Sequence, residues 1–142
     1  MNKVIIREAT TGDLSSLTVL LGQLGYTLEP EERERKMRVF LGNGYRVLVL
    51  EVDGHLAAFI ALHIFESFHL PGRTGRITSF CVDEKHRAKG IGSELLVSAQ
   101  QFLKEHQCRR IEVTSNDRRK DAHQFYVRHG FSAGSTKFVK DI

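Results

Sequence analysis

Residues 86–93 combine two cationic side chains, Arg87 and Lys89, with two glycines, Gly90 and Gly92, between an apolar run and a helical pattern. Glycines two residues apart let a backbone approach a ligand closely, and the N–H groups and dipole at a helix N-terminus favour anions. The spacing matches neither the Walker A loop nor the Gly-x-Gly-x-x-Gly turn of dinucleotide-binding folds. The segment therefore predicts a turn that binds another phosphate ligand. The alternative interpretation is an ordinary strand-to-helix connection with solvated basic residues.

The chain has 142 residues, 41% of them hydrophobic and 27% charged, which fits one globular domain spanning residues 1–142. Its net charge of +4 suits a nucleic acid or a small polyanion equally well. The amino end runs directly into a strand-like alternation, and the histidines and cysteines show no metal-ligand spacing. We expect a cytoplasmic protein without a metal site or a nucleic acid or membrane partner, and with Cys81 and Cys108 reduced.

Apolar periodicity and turn signals predict strands alternating with helices along the chain. Thr10 and Asp13 have capping-box spacing, Asp53-Gly54 predicts a tight hairpin, and residues 66–75 are typical of a loop. The predicted strands are residues 3–8, 45–52, 55–65, 76–82 and 111–114 with short final strands at Phe131 and 137–139, and the predicted helices are 14–24, 30–41, 91–103 and 119–129.

These elements predict a mixed α/β fold with a mostly antiparallel sheet of six or seven strands flanked by about four helices. A strand, helix, strand crossover makes the strands that end near Val82 and Thr114 parallel neighbours. If these two strands splay apart, a cleft opens at their carboxyl ends, where ligands of open α/β sheets bind. Residues 86–93 and Asn116 would then lie at that cleft.

Three segments in this order carry a resemblance to a known family. Residues 87–92 (Arg-Ala-Lys-Gly-Ile-Gly) follow the strand at residues 77–83, Asn116 lies just beyond the next strand, and residues 122–131 read Ala-His-Gln-Phe-Tyr-Val-Arg-His-Gly-Phe. Over essentially its whole length the chain resembles the GNAT superfamily of N-acetyltransferases, whose patterns are Gln/Arg-x-x-Gly-x-Gly/Ala and Ala-x-x-Phe-Tyr-x-x-x-Gly-Phe. The resemblance implies a single GNAT-type domain in which the parallel strand pair is splayed.

The resemblance also implies that acetyl-CoA is the co-substrate. The turn's amides and Arg87 would hold the pyrophosphate, the splayed strand would pair its main chain with the pantetheine arm and polarise the thioester carbonyl, and Asn116 would bond that arm. Arg119 and Lys120 would reach the adenosine phosphates or, alternatively, be simply solvated. The residues assigned to acetyl-CoA are Phe80, Cys81, Val82, Arg87, Ala88, Lys89, Gly90, Ile91, Gly92, Ser93, Asn116 and Arg119.

Tyr126 is similar to the tyrosine that protonates the departing thiolate in this family, and the alternative is a core aromatic on the last helix. The general base stays open. Family members often carry a glutamate on the strand before the pyrophosphate turn, where this chain has Arg76, Thr78 and Ser79. The alternatives are a relayed water, His63, Glu66 and His69.

Residues 121–126 and 137–140 resemble the branch that acetylates aminoalkylphosphonates and other small amines, so the expected acceptor is a small-molecule primary amine. A protein acetyltransferase would need an open groove, whereas the loop at residues 66–75, with Phe65 and Phe68, favours closure over a small molecule. A noncatalytic module that binds acetyl-CoA is a further alternative. Final strands from Phe131 onward would offer an interface for a homodimer.

Overall fold

The order of strands and helices follows the predicted alternation. The computed structural model describes residues 2–115 and 120–142. Its strands are β1 (Val4–Glu8), β2 (Tyr45–Val52), β3 (His55–Glu66), β4 (Arg73–Val82) and β5 (Cys108–Val113), and its α-helices are α1 (Leu14–Gln23), α2 (Pro30–Val39), α3 (Ile91–Glu105) and α4 (Lys120–Arg128). None of the helices in these described ranges is both long enough and apolar enough to cross a membrane.

The five strands form one mixed sheet in the order β1-β2-β3-β4-β5. The first four strands are antiparallel neighbours, and β4 pairs with β5 in parallel. Asp53 and Gly54 close the β2–β3 hairpin with φ angles of 51° and 83°, which is the left-handed geometry of a two-residue hairpin turn. The predicted hairpin and parallel pair are therefore confirmed.

β5 lies beside β4 for only the first half of the length of β4. Their pairing runs from Arg73 opposite Cys108 to Ile77 opposite Val113, and no register partner on β5 follows for the rest of β4. On its other side β4 stays paired with β3 as far as Val82 opposite Ala58. Because β5 ends at Val113, the second half of β4 is paired along one edge and has no strand neighbour among the described residues along the other, and the splay itself stays a prediction.

A bulge marks the point where the strands separate. Ser79 lies opposite Ala61 and Ile77 lies opposite Leu62, so Thr78 is an extra residue in β4. Its hydroxyl donates to the carbonyl of Ala61 at 3.3 Å. Bulges bend a strand and increase its twist, so the second half of β4 changes direction relative to its first half.

Helices cover the two faces of the sheet unequally. α3 packs on one face, here called the α3 face, through a core that includes Leu50, Leu62, Leu95 and Ala99. α1 and α2 pack on the opposite face, the α1 face, through a second core. Gly75 lets α3 approach β4, because a Cβ atom there would lie 2.5 Å from Leu103 Cδ1. The five buried residues of α3 are Ile91, Leu95, Leu96, Ala99 and Leu103.

The predicted count of six or seven strands is wrong, since the described residues contain five and residues 131–142 form none. Phe131 packs on Tyr126 at 5.4 Å between ring centroids, but Phe138 and Val139 are 91% and 72% exposed. The pattern at residues 137–139 is too short to build an apolar face, and the small and polar residues before it supply no strand partner.

The predicted strand ends also need correction. β3 runs to Glu66 and β4 begins at Arg73, so the loop expected at residues 66–75 shrinks to 67–72. β5 begins at Cys108, three residues before the predicted start. Buried Thr74 explains the early start of both strands, because its hydroxyl accepts from Arg110 Nη1 at 2.7 Å between β4 and β5. Glycine and arginine had weakened the strand pattern in both segments.

Candidate functional site

The turn at residues 87–93, which we call the phosphate turn, ends at the first residues of α3. Gly90 is the N-cap with φ 80°, and the first helical hydrogen bond runs from the Glu94 amide to the Gly90 carbonyl at 3.1 Å. The amides of Ile91, Gly92 and Ser93 precede that bond and have no acceptor among the residues that the structure describes. Three neighbouring donors at the positive end of a helix form a site for an anion.

The backbone before the helix is held in a strained form. Ala88 has φ 63°, a left-handed conformation that costs a residue with a side chain about 1–2 kcal/mol. Such strain persists where surrounding contacts impose it, commonly at ligand-binding turns. One such contact is visible, because Arg87 Nε donates to the carbonyl of Val82 at 3.0 Å and ties the turn to the end of β4. Arg87 and Lys89 are exposed, so their charges are accessible.

The second part of the site is the open edge of β4, which runs from Thr78 to Val82 and includes Phe80 and Cys81. The side chains of Phe80 and Val82 point to the α3 face, whereas Cys81 is buried on the α1 face with its Sγ 3.4 Å from the Leu20 carbonyl. With the side chains packed away on both faces, the strand presents its main chain to the gap beside β5. An exposed strand edge accepts an extended chain that carries amide groups.

α4 brings Tyr126 to the same place. Half-buried Tyr126 packs edge-on against Phe125, with 5.5 Å between ring centroids, and Phe125 in turn contacts Phe80 at 5.9 Å. A hydrogen bond of 2.9 Å between Ser93 Oγ and His129 Nε2 joins the first turn of α3 to the residue after α4. The structure therefore assembles Tyr126, the phosphate turn and the open edge of β4. Asn116 and Arg119 lie outside the described residues, so their assignments stay predictions.

The α1 face carries a further cluster near the splay. The ring of His63 stacks on Tyr45 at 4.4 Å with an interplanar angle of 8°, and on Phe65 at 5.0 Å. Burial, followed by the positive charge of Arg76, lowers the pKa of His63 below its ordinary value. No described residue hydrogen-bonds the His63 ring nitrogens. We call Tyr45, His63 and Phe65 the aromatic strip.

An ion pair borders the aromatic strip. Arg76 Nε and Glu112 Oε1 are 2.6 Å apart, and the guanidinium lies 4.7 Å from the centroid of the Phe65 ring. The sequence analysis missed Tyr45 and Glu112 as site residues. Both residues carry a signal in the sequence. Tyr45 shares the alternation of Val47 and Val49, which places all three side chains on the α1 face. Glu112 lies between two apolar residues of β5, so its side chain points to the opposite face from theirs.

The other candidate bases lie in more exposed positions than half-buried His63. Glu66 is exposed at the end of β3, and His69 is exposed in the loop at residues 67–72. Phe68, expected to close over a substrate, is fully exposed at the tip of that loop. No group of three His, Cys, Asp or Glu side chains in residues 2–115 and 120–142 is placed to hold a metal ion.

The helix N-terminus with free amides and the unpaired strand edge lie together at one end of the sheet, as in a ligand-binding α/β domain. The model of the Acetyltransferase (GNAT) family matches residues 15–131. The chain therefore belongs to the GNAT acetyltransferase family, and the resemblance inferred from the sequence is confirmed.

Two curated relatives are N-acetyltransferases, and a solved structure has the same fold. The chain is 28% identical to the aminoalkylphosphonate N-acetyltransferase of Salmonella typhimurium, over 96% of this chain and 90% of that protein. It is 29% identical to the spermine/spermidine N(1)-acetyltransferase of Bacillus subtilis, over 61% of this chain and 59% of that protein. A crystal structure described as a transcriptional regulator from Bacillus halodurans has the same fold, with a TM-score of 0.90, 24% identity and coverage of 99% and 100% of the two chains.

The two glycines of the phosphate turn respond differently to alanine. Gly90→Ala forces a side chain into φ 80°, so we expect a loss of about 1–2 kcal/mol of stability. Displacing a single amide that donates to a phosphate costs about 1.5–3 kcal/mol, so acetyl-CoA affinity falls about tenfold or more. Thermal unfolding and equilibrium binding of acetyl-CoA measure the two effects.

Gly92→Ala is the matched control. Its Cβ atom would lie 3.4 Å from Val82 Cγ2 and 3.7 Å from the Phe125 ring, which are ordinary contacts, and alanine suits a helical residue better than glycine. Stability and acetyl-CoA affinity stay near the wild-type values. If Gly90→Ala and Gly92→Ala lose the same acetyl-CoA affinity, binding does not depend on the left-handed backbone of Gly90, and that assignment is contradicted.

Proposed function

We propose that this chain acts as a single-domain N-acetyltransferase that moves the acetyl group of acetyl-CoA to the primary amine of a small molecule. Family membership supports acetyl transfer in general. The observation that carries the proposal is the open edge of β4, from Thr78 to Val82, ending at the phosphate turn. An extended donor with a phosphate at one end and amides along its arm matches both parts of this site.

The donor contacts follow from these two parts. The amides of Lys89 to Gly92 and the charge of Arg87 would bind the pyrophosphate, with Ala88 and Ser93 shaping the turn around it. The main chain of Phe80, Cys81 and Val82 would pair with the pantetheine arm as a substitute strand. A backbone N–H of that edge would donate to the thioester carbonyl, where negative charge develops as the amine attacks. Acetyl-CoA supplies the activated thioester, and this chain supplies the alignment.

Tyr126 would deliver the proton to the departing sulfur. A phenol has an ordinary pKa of about 10 and a thiol one of about 8.5, so transfer depends on alignment rather than on acidity. Packing supports such alignment, because Phe125 and Phe131 contact the ring of Tyr126 and the Ser93–His129 bond fixes α4 to the phosphate turn.

A small acceptor is supported by the named relatives, which act on an aminoalkylphosphonate and on polyamines. We test it by following thiol release from acetyl-CoA with an aminoalkylphosphonate, a polyamine, an aminoglycoside and a lysine peptide. Turnover with one or more of the small amines at a higher kcat/KM than with the peptide is the expected result. Turnover with the peptide alone indicates a protein acetyltransferase. Tight acetyl-CoA binding without turnover indicates a noncatalytic module.

Tyr126→Phe tests the general acid. The ring keeps its contacts with Phe125 and Phe131, so unfolding temperature and acetyl-CoA affinity change little. Because general acid catalysis contributes about 10²–10⁴-fold, we expect kcat at neutral pH to fall by that amount. Tyr26→Phe is the control, since Tyr26 is 64% exposed beyond α1. A kcat for Tyr126→Phe equal to that of the control contradicts the role.

A further inference from the structure

We propose that the acceptor amine binds on the aromatic strip of the α1 face and that His63 accepts the proton from its ammonium group. The inference rests on the proposed function and adds to it a place for the acceptor and a base. It derives from the stacking of His63 between Tyr45 and Phe65, from the position of His63 opposite Arg76, next to the end of the β4–β5 pairing, and from the packing of the opposite face.

The α3 face is filled at the splay. Phe80, Phe125, Tyr126 and Phe131 pack there against the core beneath α3 and α4. An acceptor that approached from this side would have to displace these aromatic rings. The acceptor therefore reaches the gap between β4 and β5 from the α1 face.

The α1 face is open at this end of the sheet. α1 and α2 bury Phe59 and Ala61 of β3, whereas His63 and Phe65, two and four residues further along the same face, are only half-buried. The residue at the end of α2, Phe40, contacts Tyr45 at 4.7 Å between ring centroids and forms the limit of the helical cover. The aromatic strip is therefore a wall that a small molecule can reach.

The register of the sheet places His63 diagonally across from Ser79, in the part of β4 where the thioester would lie. Ala61 lies opposite Ser79, the first β4 residue after the bulge, and His63 follows Ala61 on the same face. Two residues of strand span about 6.5 Å, and a general base acts at hydrogen-bond distance or through one water. Ser79 is thus a diagonal neighbour of His63 across β3 and β4, about 7–8 Å away, and an imidazole ring with one bridging water spans that separation.

The surroundings keep the imidazole neutral and able to accept a proton. Its own stacking partners from β2 and β3 are aromatic, β4 contributes the Arg76 cation, and β5 contributes Glu112, which is paired to Arg76. Burial and the Arg76 charge both lower the pKa of His63, so at neutral pH more of the ring is uncharged and able to accept a proton than in an ordinary histidine. Glu112 limits the repulsion that Arg76 would otherwise exert on an incoming ammonium group.

The protons and bonds balance with these groups. The ammonium loses one proton to His63, which passes it to solvent, and the free amine forms the C–N bond as the C–S bond breaks with its electron pair on sulfur. Tyr126 protonates the sulfur and regains a proton, through solvent, from the new amide nitrogen. One acetyl-CoA and one ammonium give one amide, one thiol and one released proton.

Two variants test the base. His63→Gln removes the base and keeps a polar side chain, and His63→Phe removes it and keeps a ring in the stack. Both are expected to lower kcat at pH 7 by about 10²-fold or more, because general base catalysis contributes about 10²–10⁴-fold. The difference in kcat between the wild type and the variants becomes smaller as the pH rises toward the pKa of the amine, because more of the amine is then already deprotonated in solution. Acetyl-CoA affinity and unfolding temperature stay near wild type in at least one of the two.

The wild-type pH profile provides the second readout. The wild-type kcat/KM decreases toward acid pH, and the apparent pKa of this acid limb lies below the ordinary histidine value of about 6.5. In both variants kcat/KM no longer shows this acid limb. His69→Gln is the control, since His69 is exposed in the loop at residues 67–72, and it keeps both the rate and the limb. Variants that retain the wild-type limb and rate overturn the role of His63 and leave the proposed function intact. A wild-type enzyme without turnover on any amine overturns the proposed function itself.

Discussion

The parallel pairing of β4 with β5 stops at Ile77 and Val113 while β4 stays bonded to β3 as far as Val82, and the site depends on this one-sided pairing. A strand that lost both neighbours would not hold a defined shape, and one that kept both would have no free edge. The extra residue at Thr78 lets the chain change direction without releasing Ser79 from Ala61. Phe80 and Val82 then anchor the open half of the strand in the core under α3.

Every other element of the site is placed relative to that open strand. Arg87 bonds the carbonyl of Val82, so the phosphate turn begins where the strand ends. Gly75 lets the last turn of α3 pack closely on β4 through Leu103, and the first turn of the same helix carries the amides of Ile91 to Ser93. α4 is attached to that first turn through Ser93 and His129. The phosphate turn, Tyr126 and the open edge of β4 are therefore held together by contacts between their elements.

Local chemistry allowed part of this arrangement to be predicted from the sequence. Gly90 and Gly92 marked the turn, Asp53-Gly54 marked the hairpin, and the periodicity of Ile91, Leu95 and Ala99 marked α3, because each signal is contained in a few neighbouring residues. The final strands failed because residues 137–139 alternate without an apolar face to bury. The aromatic strip and its ion pair could not be assembled, since they join four strands whose register the sequence does not state. A single bulge at Thr78 changes which side chains of β4 share a face with His63.

Hydrogen exchange of the backbone amides, with and without saturating acetyl-CoA, tests most directly whether the open edge of β4 and the phosphate turn together bind the donor. We predict slower exchange in residues 78–82 and in residues 88–93 when acetyl-CoA is bound, with β1, at the far edge of the sheet, unchanged. Slower exchange in the phosphate turn without any change in residues 78–82, under conditions where binding is saturated, would contradict the account.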